Sequence, residues 1–308
     1  MPASLKLLVD VVSPVFAVIL VGGLVGGWFR LDVRHVNRLA LYAAVPALAF
    51  RAMAELALGE IPAVRLLAGY GLFLLAAGGL AALAGARLPG SARRALIGTS
   101  VLGNAANLNL PVALFAFGPA GLDRALILYL ATSLLMFTIG PGLLGAAVTP
   151  ARALRTVLAF PVLWATLAGL LVNAAGLGLP LAGERAVDLL ADAAIPMVLL
   201  TLGVQLARAG RHWPSGRAWA GVALKLGAGP FLAAGAGLTL GLTGLDLAIL
   251  VLIGAMPTAV NAAMLAIEFG GDARQVGDTV VAGTAAALIT LPLVLSVLSG
   301  LVGGAPPG

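Results

Sequence analysis

Long apolar segments separated by short polar loops dominate the chain. Ten such segments can be marked, each close to the roughly 20 residues that an α-helix needs to cross a hydrocarbon core about 30 Å thick. Numbered 1 to 10 in chain order, they are residues 6–28, 36–57, 62–85, 94–117, 124–146, 154–176, 186–207, 217–241, 246–268 and 277–301. The pattern predicts an all-α polytopic membrane protein with ten transmembrane helices.

Segment 4 carries polar residues that a continuous membrane helix rarely tolerates. Residues 98–118 read GTSVLGNAANLNLPVALFAFG and contain Asn104, Asn107, Asn109 and Pro111. Lipid cannot satisfy the amide groups, and proline removes a backbone donor and clashes with the carbonyl four residues earlier. We therefore predict that this helix breaks near the middle of the membrane, where free backbone groups can face a cavity and bind a substrate.

The ten segments divide into two halves of five, residues 1–150 and residues 151–308. An odd number of spans forces the second half into the inverted orientation. Three positions pair a proline or an asparagine with another one 150 residues later: Pro46 with Pro196, Asn107 with Pro257, and Pro111 with Asn261. Segment 9 is therefore predicted to contain its own break, within GAMPTAVNAAMLAIEFG.

Composition supports a membrane protein and excludes several other classes. Hydrophobic residues make up 61% of the 308 residues, charged residues only 10%, and the mean hydropathy is +1.09, which lies outside the range of soluble domains. The isoelectric point near 10.7 does not indicate a nucleic-acid partner, because the basic residues form no stripe with interleaved aromatic residues. The absence of cysteine excludes disulfides and thiolate metal sites.

Basic residues in the short loops predict the orientation in the membrane. One set of loops holds twelve of them: Arg30, Arg34, Arg38, Arg87, Arg93, Arg94, Arg152, Arg155, Arg208, Arg211, Arg217 and Arg274. The opposite set holds five: Lys6, Arg51, Arg65, Arg124 and Arg185. We expect the first set on the cytoplasmic side of the cell's inner (plasma) membrane and both termini outside. The first apolar run continues past Gly27 without a convincing cleavage site, so we expect a first span there.

Three runs of sequence resemble the auxin efflux carrier family, bacterial members included. They are the GN and LNLP elements of segment 4, AIPMVLLTLGVQL in segment 7 and PTAVNAAMLAIEFGGD in segment 9. The resemblance covers nearly the whole chain. It implies two inverted five-helix repeats, like those of the bile acid sodium symporters, in which the broken helices 4 and 9 cross. Segments 1, 2, 6 and 7 would form a scaffold domain, and segments 3–5 and 8–10 a transport domain.

The same resemblance implies a small organic anion as substrate, an elevator-type motion and a homodimer. Half-helix N-termini present unpaired amide donors and partial positive charge, which suits a carboxylate. Asparagine adds donors and acceptors without a permanent charge. The predicted substrate site comprises Asn104, Asn107, Asn109, Pro111, Pro257, Thr258 and Asn261. The alternative is that these polar residues only join helices by hydrogen bonds, each contributing about 0.6 kcal/mol.

Hydroxyl groups near the predicted crossing are supporting candidates. They are Thr132, Ser133 and Thr138 in segment 5 and Thr284 in segment 10. For these residues, bonding between helices or to the carbonyls of their own helix is the stronger explanation.

Charged residues within the segments have ordinary explanations beside functional ones. Arg51 and Glu55 are four residues apart, which favours an ion pair over a substrate clamp. Asp188 and Asp192 open segment 7, where acids favour a helix N-terminus, and a proton relay through Asp192 is the alternative.

Lys225 and Asp278 complete the set of charged candidates. Lys225 lies inside segment 8, where it either snorkels to the cytoplasmic interface or attracts the anion. Glu268 and Asp278 bracket the loop after segment 9, where a solvated face is expected. No buried carboxylate is expected within the crossing segments, so the coupling ion, H⁺ or Na⁺, stays open.

Glycines in segment 1 concern assembly. Gly22 and Gly26, with Gly23 and Gly27, repeat at four-residue spacing, which allows two helices to approach closely. They suit either a dimer interface or packing within one monomer.

Rival functions lack the residues that they need. Both histidines, His35 and His212, fall in short basic loops, so a Ser-His or His-metal centre within the membrane has no imidazole. No paired acidic motif and no phosphate-binding loop is present, and a channel would need a ring of pore residues. We expect no enzyme activity, cofactor or metal.

The predicted function is a secondary transporter, surrounded by lipid, for a carboxylate such as an auxin-like acid or a dicarboxylate. A sodium-coupled anion symporter, and after it a non-transporting sensor or a channel, are the alternatives.

Overall fold

The computed structural model describes residues 8–29, 31–56, 61–144, 151, 154–155, 158–208 and 213–302. Within these residues the fold is helical and contains no strand beyond one isolated backbone bridge. The α-helices are α1 (Ser13–Trp28), α2 (Val33–Leu39), α3 (Val45–Ala54), α4 (Ala63–Ala84), α5 (Gly90–Val101), α6 (Leu110–Thr138), α7 (Gly140–Leu144), α8 (Pro161–Ala174), α9 (Leu181–Ala207), α10 (Gly216–Val222), α11 (Gly229–Thr239), α12 (Gly244–Gly254), α13 (Val260–Glu268) and α14 (Ala273–Val302).

Short π-helical segments join or precede several of these helices. Among the described residues they are Leu8–Val12, Ala40–Ala44, Ala105–Asn109 and Ala223–Ala228. Such segments are rare and often mark functional sites. Two of them bear on function here, because Ala105–Asn109 holds two of the predicted site asparagines and Ala223–Ala228 holds Lys225.

Six helical stretches of the described chain are long and apolar enough to cross a membrane. They are Val9–Trp28, Ala63–Ala84, Ala105–Thr138, Leu181–Ala207, Gly216–Thr239 and Ala273–Val302. The helices α8 and α12 are apolar but shorter. A multi-pass membrane protein follows from these stretches. Lys6, Arg30, Arg152, Arg211, His212 and the predicted boundary between the two halves at residue 150 lie outside the described residues.

A glycine kink divides the longest stretch. Gly118 has a φ of 69° and a ψ of −166° inside α6, and Pro119 follows it. Glycine adopts a positive φ without the steric penalty that a side chain brings. The kink coincides with the loop that the sequence predicts between segments 4 and 5.

Two interruptions of helical structure meet inside the molecule. The backbone leaves helical form after α5, at residues 102–104, and again between α12 and α13, at residues 255–259. The amide of Asn104 donates to the carbonyl of Pro257 at 2.8 Å, and the amide of Ala259 donates to the carbonyl of Leu102 at 2.9 Å. An antiparallel bridge joins Gly103 to Thr258. The two interruptions therefore supply each other with hydrogen-bond partners that lipid lacks.

The first interruption lies closer to the N-terminus than the sequence indicated. Pro111 occupies the first turn of α6, where a proline needs no amide donor and fits the helix well. The chain is instead unwound at Leu102 to Asn104, where Gly103 and the cross-bonded Asn104 lie. Pro111 thus helps to start the second half of the interrupted helix rather than to end the first.

Helices pack in two groups. The helices α1, α3, α8 and α9 pack mainly against one another, and α4, α5, α6 and α10 to α14 pack mainly among themselves. Contacts between the groups are fewer. They join α9 to the π-helical segment Ala105–Asn109 and to α6, α3 to α6, and the segment Leu8–Val12, which leads into α1, to α6 and α14.

Close approach between α1 and α9 explains the glycine pattern of segment 1. A Cβ atom added at Gly22 would collide with the backbone carbonyl of Leu200, and one added at Gly26 would lie 2.8 Å from Val204 Cγ1. Gly203 on α9 faces the backbone of Ile19 in the same way. Of the two alternatives for Gly22 and Gly26, the structure therefore shows packing within one monomer.

We expect Gly22→Ala to destabilise the protein by about 1–3 kcal/mol, because the added methyl group meets rigid backbone of α9. The measurement is thermal unfolding of the purified protein in detergent. Gly27→Ala is the matched control on the same helix, since a Cβ atom there has no neighbour within 4 Å. Equal melting temperatures of the two variants would show that α1 and α9 do not pack this closely.

Candidate functional site

Asn104 organises the chain directly after the first interruption. Its Oδ1 atom accepts a hydrogen bond from the backbone amide of Asn107 at 3.1 Å, so it caps the π-helical segment Ala105–Asn109. The carbonyl of Asn104 also accepts from the amide of Asn109 at 3.2 Å. Capping of this kind satisfies amides that a helix start leaves free. The Oδ1 atom of Asn104 thus has a structural task, and its Nδ2 atom stays available.

A small cavity of about 30 Å³ lies where the two interruptions meet, and it is large enough to hold water. Three predicted substrate residues line it, namely Asn104, Asn107 and Asn261, together with Thr132 and Ser133 from α6. The remaining lining comes from Leu41, Gly103, Ala105, Ala106, Tyr129, Met136, Phe137, Phe160, Ala259 and Val260. The fold therefore brings residues from both halves of the sequence to one cavity.

Several buried amide atoms at the crossing have no hydrogen-bond partner within the described part of the chain. They are Asn104 Nδ2, Asn109 Nδ2 and Oδ1, Gln205 Nε2 and Asn261 Oδ1. Asn107 Nδ2 donates to Gln205 Oε1 at 3.5 Å, the longest distance that a hydrogen bond spans. Buried polar atoms are nearly always paired, so a cluster of unpaired ones calls for a bound partner. Water or a polar ligand would meet that need.

Four of the predicted substrate residues lie outside the cavity lining. Asn109 is fully buried, and Pro111 lies in the first turn of α6. Pro257 offers its carbonyl to Asn104, and Thr258 Oγ1 donates to the carbonyl of Thr99 at 2.8 Å. Pro257 and Thr258 thus hold the two interruptions together.

The hydroxyl groups bond mainly to their own helices. Thr132 Oγ1 donates to the carbonyl of Leu128 at 2.7 Å and also lies 2.6 Å from the hydroxyl of Tyr70. Thr138 and Thr284 donate to carbonyls four residues earlier. Thr284 does not line the cavity. The expectation that these hydroxyls bond to their own helix is confirmed for all three threonines.

The sequence suggested an ion pair between Arg51 and Glu55, but in the structure Arg51 pairs with other residues. Its Nη1 atom lies 2.8 Å from Asp192 Oδ1 and 3.4 Å from Asp188 Oδ1. The reason is tertiary, because α3 packs beside α9 and brings two carboxylates to one guanidinium. The side chain of Asp192 is 71% exposed, and neither Arg51 nor Asp192 lines the cavity. Both residues therefore stand apart from the crossing.

Lys225 and Asp278 are buried rather than solvated. Lys225 is only 2% exposed, and its Nζ atom lies 5.2 Å from the ring centroid of Phe73 on α4. Asp278 is 3% exposed on α14. The snorkelling of Lys225 and the solvated face at Asp278 are therefore wrong, because both helices turn these side chains toward the interior of the bundle.

A second cavity of about 680 Å³, which we call the vestibule, adjoins the small one. The two share Leu41, Phe137, Phe160 and Asn261. The rings of Phe137 and Phe160 lie 5.5 Å apart at an angle of 50°. The other residues that line the vestibule are Asn37, Arg38, Tyr42, Arg155, Ala159, Met264, Leu265 and Glu268. The phenylalanine pair therefore separates the cavity at the crossing from a wider, charged entrance.

Sequence reasoning missed Gln205, Phe137 and Phe160. Gln205 had a visible signal, since it is an amide in the mostly apolar C-terminal half of α9; its side chain is buried, at 7% exposure. The two phenylalanines carried none, because an apolar ring in a membrane segment is indistinguishable from lipid-facing residues until the helices are placed.

Interrupted membrane helices around an amide-lined cavity are the architecture of a membrane transporter. Residues 147–295 match the family described as membrane transport protein. A relative from Methanothermobacter thermautotrophicus, named uncharacterized transporter, is 32% identical over 269 residues, which cover 85% of this chain and 88% of the relative. The chain therefore belongs to the membrane transport protein family, which is the auxin efflux carrier family, and the resemblance found in the sequence is confirmed.

We expect Phe137→Ala to join the cavity at the crossing to the vestibule. The chain contains no cysteine, so a Ser133→Cys variant reports access to the cavity through its labelling rate with a small water-soluble thiol reagent. That rate should rise severalfold when Phe137→Ala is added. Phe231→Ala is the control, because Phe231 is 79% exposed on the outer surface of α11. Equal labelling rates with and without Phe137 would show that the ring does not restrict access.

Proposed function

We propose that this protein is a secondary active transporter that moves a small organic anion, a carboxylate, across the inner (plasma) membrane. One observation carries the proposal: two interrupted helices meet at a cavity, and two residues that line it, Asn104 and Asn261, each have a side-chain amide atom without a hydrogen-bond partner in the described part of the chain. Transporters place their substrates at such interruptions, because backbone and side-chain groups there lack partners within the protein.

The lining of the cavity favours an anion over a cation. Among the described residues, no charged side chain lines it, so none of them offers a carboxylate to hold a positive ligand. The π-helical segment Ala105–Asn109 and the helix α13 both begin at the crossing, and helix starts carry partial positive charge. The free Nδ2 atom of Asn104 adds a donor. A carboxylate would accept hydrogen bonds from these donors.

Charges in the vestibule support the same substrate class. Of the described residues that line it, two are cationic, Arg38 and Arg155, and one, Glu268, is anionic. A net positive entrance raises the local concentration of anions. Arg38 and Arg155 both belong to the arginine-rich set of loops, so the vestibule opens to the cytoplasm if both termini lie outside.

The architecture that we propose is ten helices in two inverted repeats, residues 1–150 and 151–308. The antiparallel pairing of Gly103 with Thr258 is what two inverted halves would produce. The packing group of α1, α3, α8 and α9 would be the scaffold domain, and the other group the transport domain. The vestibule lies between them, with Leu41 and Phe160 on one side and Phe137 and Asn261 on the other.

This arrangement suits an elevator-type motion. Few contacts join the two groups, so one can slide past the other while the crossing stays intact. Sliding would carry the cavity from one membrane face to the other, which is how alternating access works in inverted-repeat carriers. Dimerisation through the scaffold group, to give a homodimer, belongs to the same proposal.

Uptake into liposomes that contain the purified protein tests the proposed function. A panel of radiolabelled monocarboxylates and dicarboxylates, including an indole acid, is offered under gradients of pH, sodium and voltage. We expect saturable uptake of at least one carboxylate and none of a matched neutral amide. Absence of uptake for every acid under every gradient would refute the proposal.

We expect Asn107→Ala and Asn261→Ala each to lower transport at least about tenfold, since a hydrogen bond to a charged group contributes about 1.5–3 kcal/mol. Initial uptake rates and gel-filtration profiles give the readout. Asn173→Ala is the matched control, because Asn173 Nδ2 bonds to the carbonyls of Met53 and Leu56 and lies away from the cavity. Normal uptake by both cavity variants would assign these asparagines to helix packing alone.

We expect Arg38→Gln to raise the KM for the anion by about two- to fivefold, in the range of an exposed charge. Glu268→Gln should lower the KM, because it removes the opposing charge from the same vestibule. Both effects should shrink at high salt, where exposed charges are screened. Arg65→Gln, an exposed arginine outside the vestibule, serves as the control. Unchanged KM values in both vestibule variants would argue against electrostatic recruitment of the substrate.

A further inference from the structure

Lys225 occupies an unusual place for a charged side chain in a membrane protein. It is one of only two lysines in the chain, and it is 2% exposed within the π-helical segment between α10 and α11. Its Nζ atom lies 3.2 Å from the position that a Cβ atom on Gly103 would take. The ammonium group therefore rests directly against the unwound backbone of the first interruption.

The surroundings of this ammonium group are rich in negative ends of helices. The helices α5 and α12 both end at the crossing, at Val101 and Gly254, and the last turns of helices carry partial negative charge. The carbonyl oxygen of Ile253, in the last turn of α12, lies 3.8 Å from the same Cβ position on Gly103. Phe73 offers the face of its ring from the other direction, which also attracts a cation.

No carboxylate balances Lys225 in the described part of the chain. The ion pairs found there join His35 with Asp32, Arg51 with Asp188 and Asp192, and Arg124 with Asp246. A buried charge without an ionic partner is costly and is usually retained for function. The neighbours that the structure gives the Lys225 side chain are the unwound backbone at Gly103 and the aromatic face of Phe73.

We propose that the Lys225 side chain is a tethered cation that stabilises the helix crossing in place of a bound sodium ion. Carriers with broken helices commonly hold their coupling Na⁺ or H⁺ at unwound carbonyls and helix C-terminal ends, and Lys225 occupies such a place here. The crossing then needs no free sodium ion to be stable, and transport does not require sodium. The transport part rests on the proposed function, whereas the stability part does not.

Gly103 fits this role. A side chain at residue 103 would come within 3.2 Å of the ammonium nitrogen and 3.5 Å of Lys225 Cε. Glycine therefore lets the lysine reach the unwound backbone, where a larger residue would push it away.

Thermal unfolding in sodium chloride and in choline chloride at equal ionic strength and pH tests the stability part. Wild-type protein should melt at the same temperature in both salts. Lys225→Ala should melt several degrees lower in choline, and sodium or methylammonium should restore part of the loss, because these small cations fit the space that the lysine leaves. Lys225→Met should melt lower in every salt, since its side chain fills that space without a charge.

Arg217→Ala is the control on the same membrane-crossing helix, because it removes an exposed charge at the start of α10. Its melting temperature should match that of the wild type in every salt. If Lys225 served packing alone, Lys225→Met would melt at the wild-type temperature or higher, since apolar replacement of a buried charge is commonly neutral or stabilising. Equal or higher stability of Lys225→Met would overturn the proposal, as would sodium-specific stabilisation of the wild type. If Lys225→Ala does not fold, the melting temperature of Lys225→Met and the response of the wild type to sodium still test the proposal.

Uptake into liposomes separates this inference from the proposed function. Wild-type uptake should be equal in sodium and choline buffers. Sodium-dependent uptake of a carboxylate would overturn the tethered cation and leave the proposed function intact. Failure to transport any carboxylate, with the melting temperatures as expected, would refute the proposed function and leave Lys225 as a structural cation at the crossing.

Discussion

Backbone amide and carbonyl groups that leave a helix inside a membrane have no water to bind, and this constraint governs the centre of the molecule. Two interruptions meet the constraint by bonding to each other, through Asn104 with Pro257 and Ala259 with Leu102. The pairing allows the chain to be unwound in the interior of the bundle. It also leaves amide side chains and helix ends directed at one small volume, and the candidate site follows from that.

The division of labour among the asparagines follows from the same constraint. The side-chain Oδ1 atom of Asn104 caps the turn after the interruption, so only the Nδ2 atom of this side chain remains for a ligand. Asn107 and Asn261 reach the cavity from opposite halves of the sequence. Gln205, on the other packing group, touches Asn107 at the limit of hydrogen-bond distance. A contact that weak would be broken and remade in the elevator-type motion that we propose.

Sequence reasoning succeeded where local chemistry was decisive and failed where a neighbouring helix was needed. The prolines and asparagines of segments 4 and 9 predicted interrupted helices, because polar groups without hydrogen-bond partners are energetically costly in lipid. The same reasoning left Lys225 open between the membrane surface and a role in attracting the anion, and it favoured an ion pair of Arg51 with Glu55, since only residues near in sequence were available as partners. In the fold, α9 supplies the carboxylates for Arg51, and Gly103 and Phe73 surround Lys225.

The sequence by itself determined the class of protein, the helical architecture, the family and the two places where helices break. Those properties depend on hydropathy and on the partners that each backbone group can find nearby. Tertiary structure alone decided that the interruptions bond to each other, that Phe137 and Phe160 separate two cavities, and that Gly22 packs on α9. These are contacts between residues far apart in the chain, and no periodicity within a segment encodes which face of one helix meets which face of another.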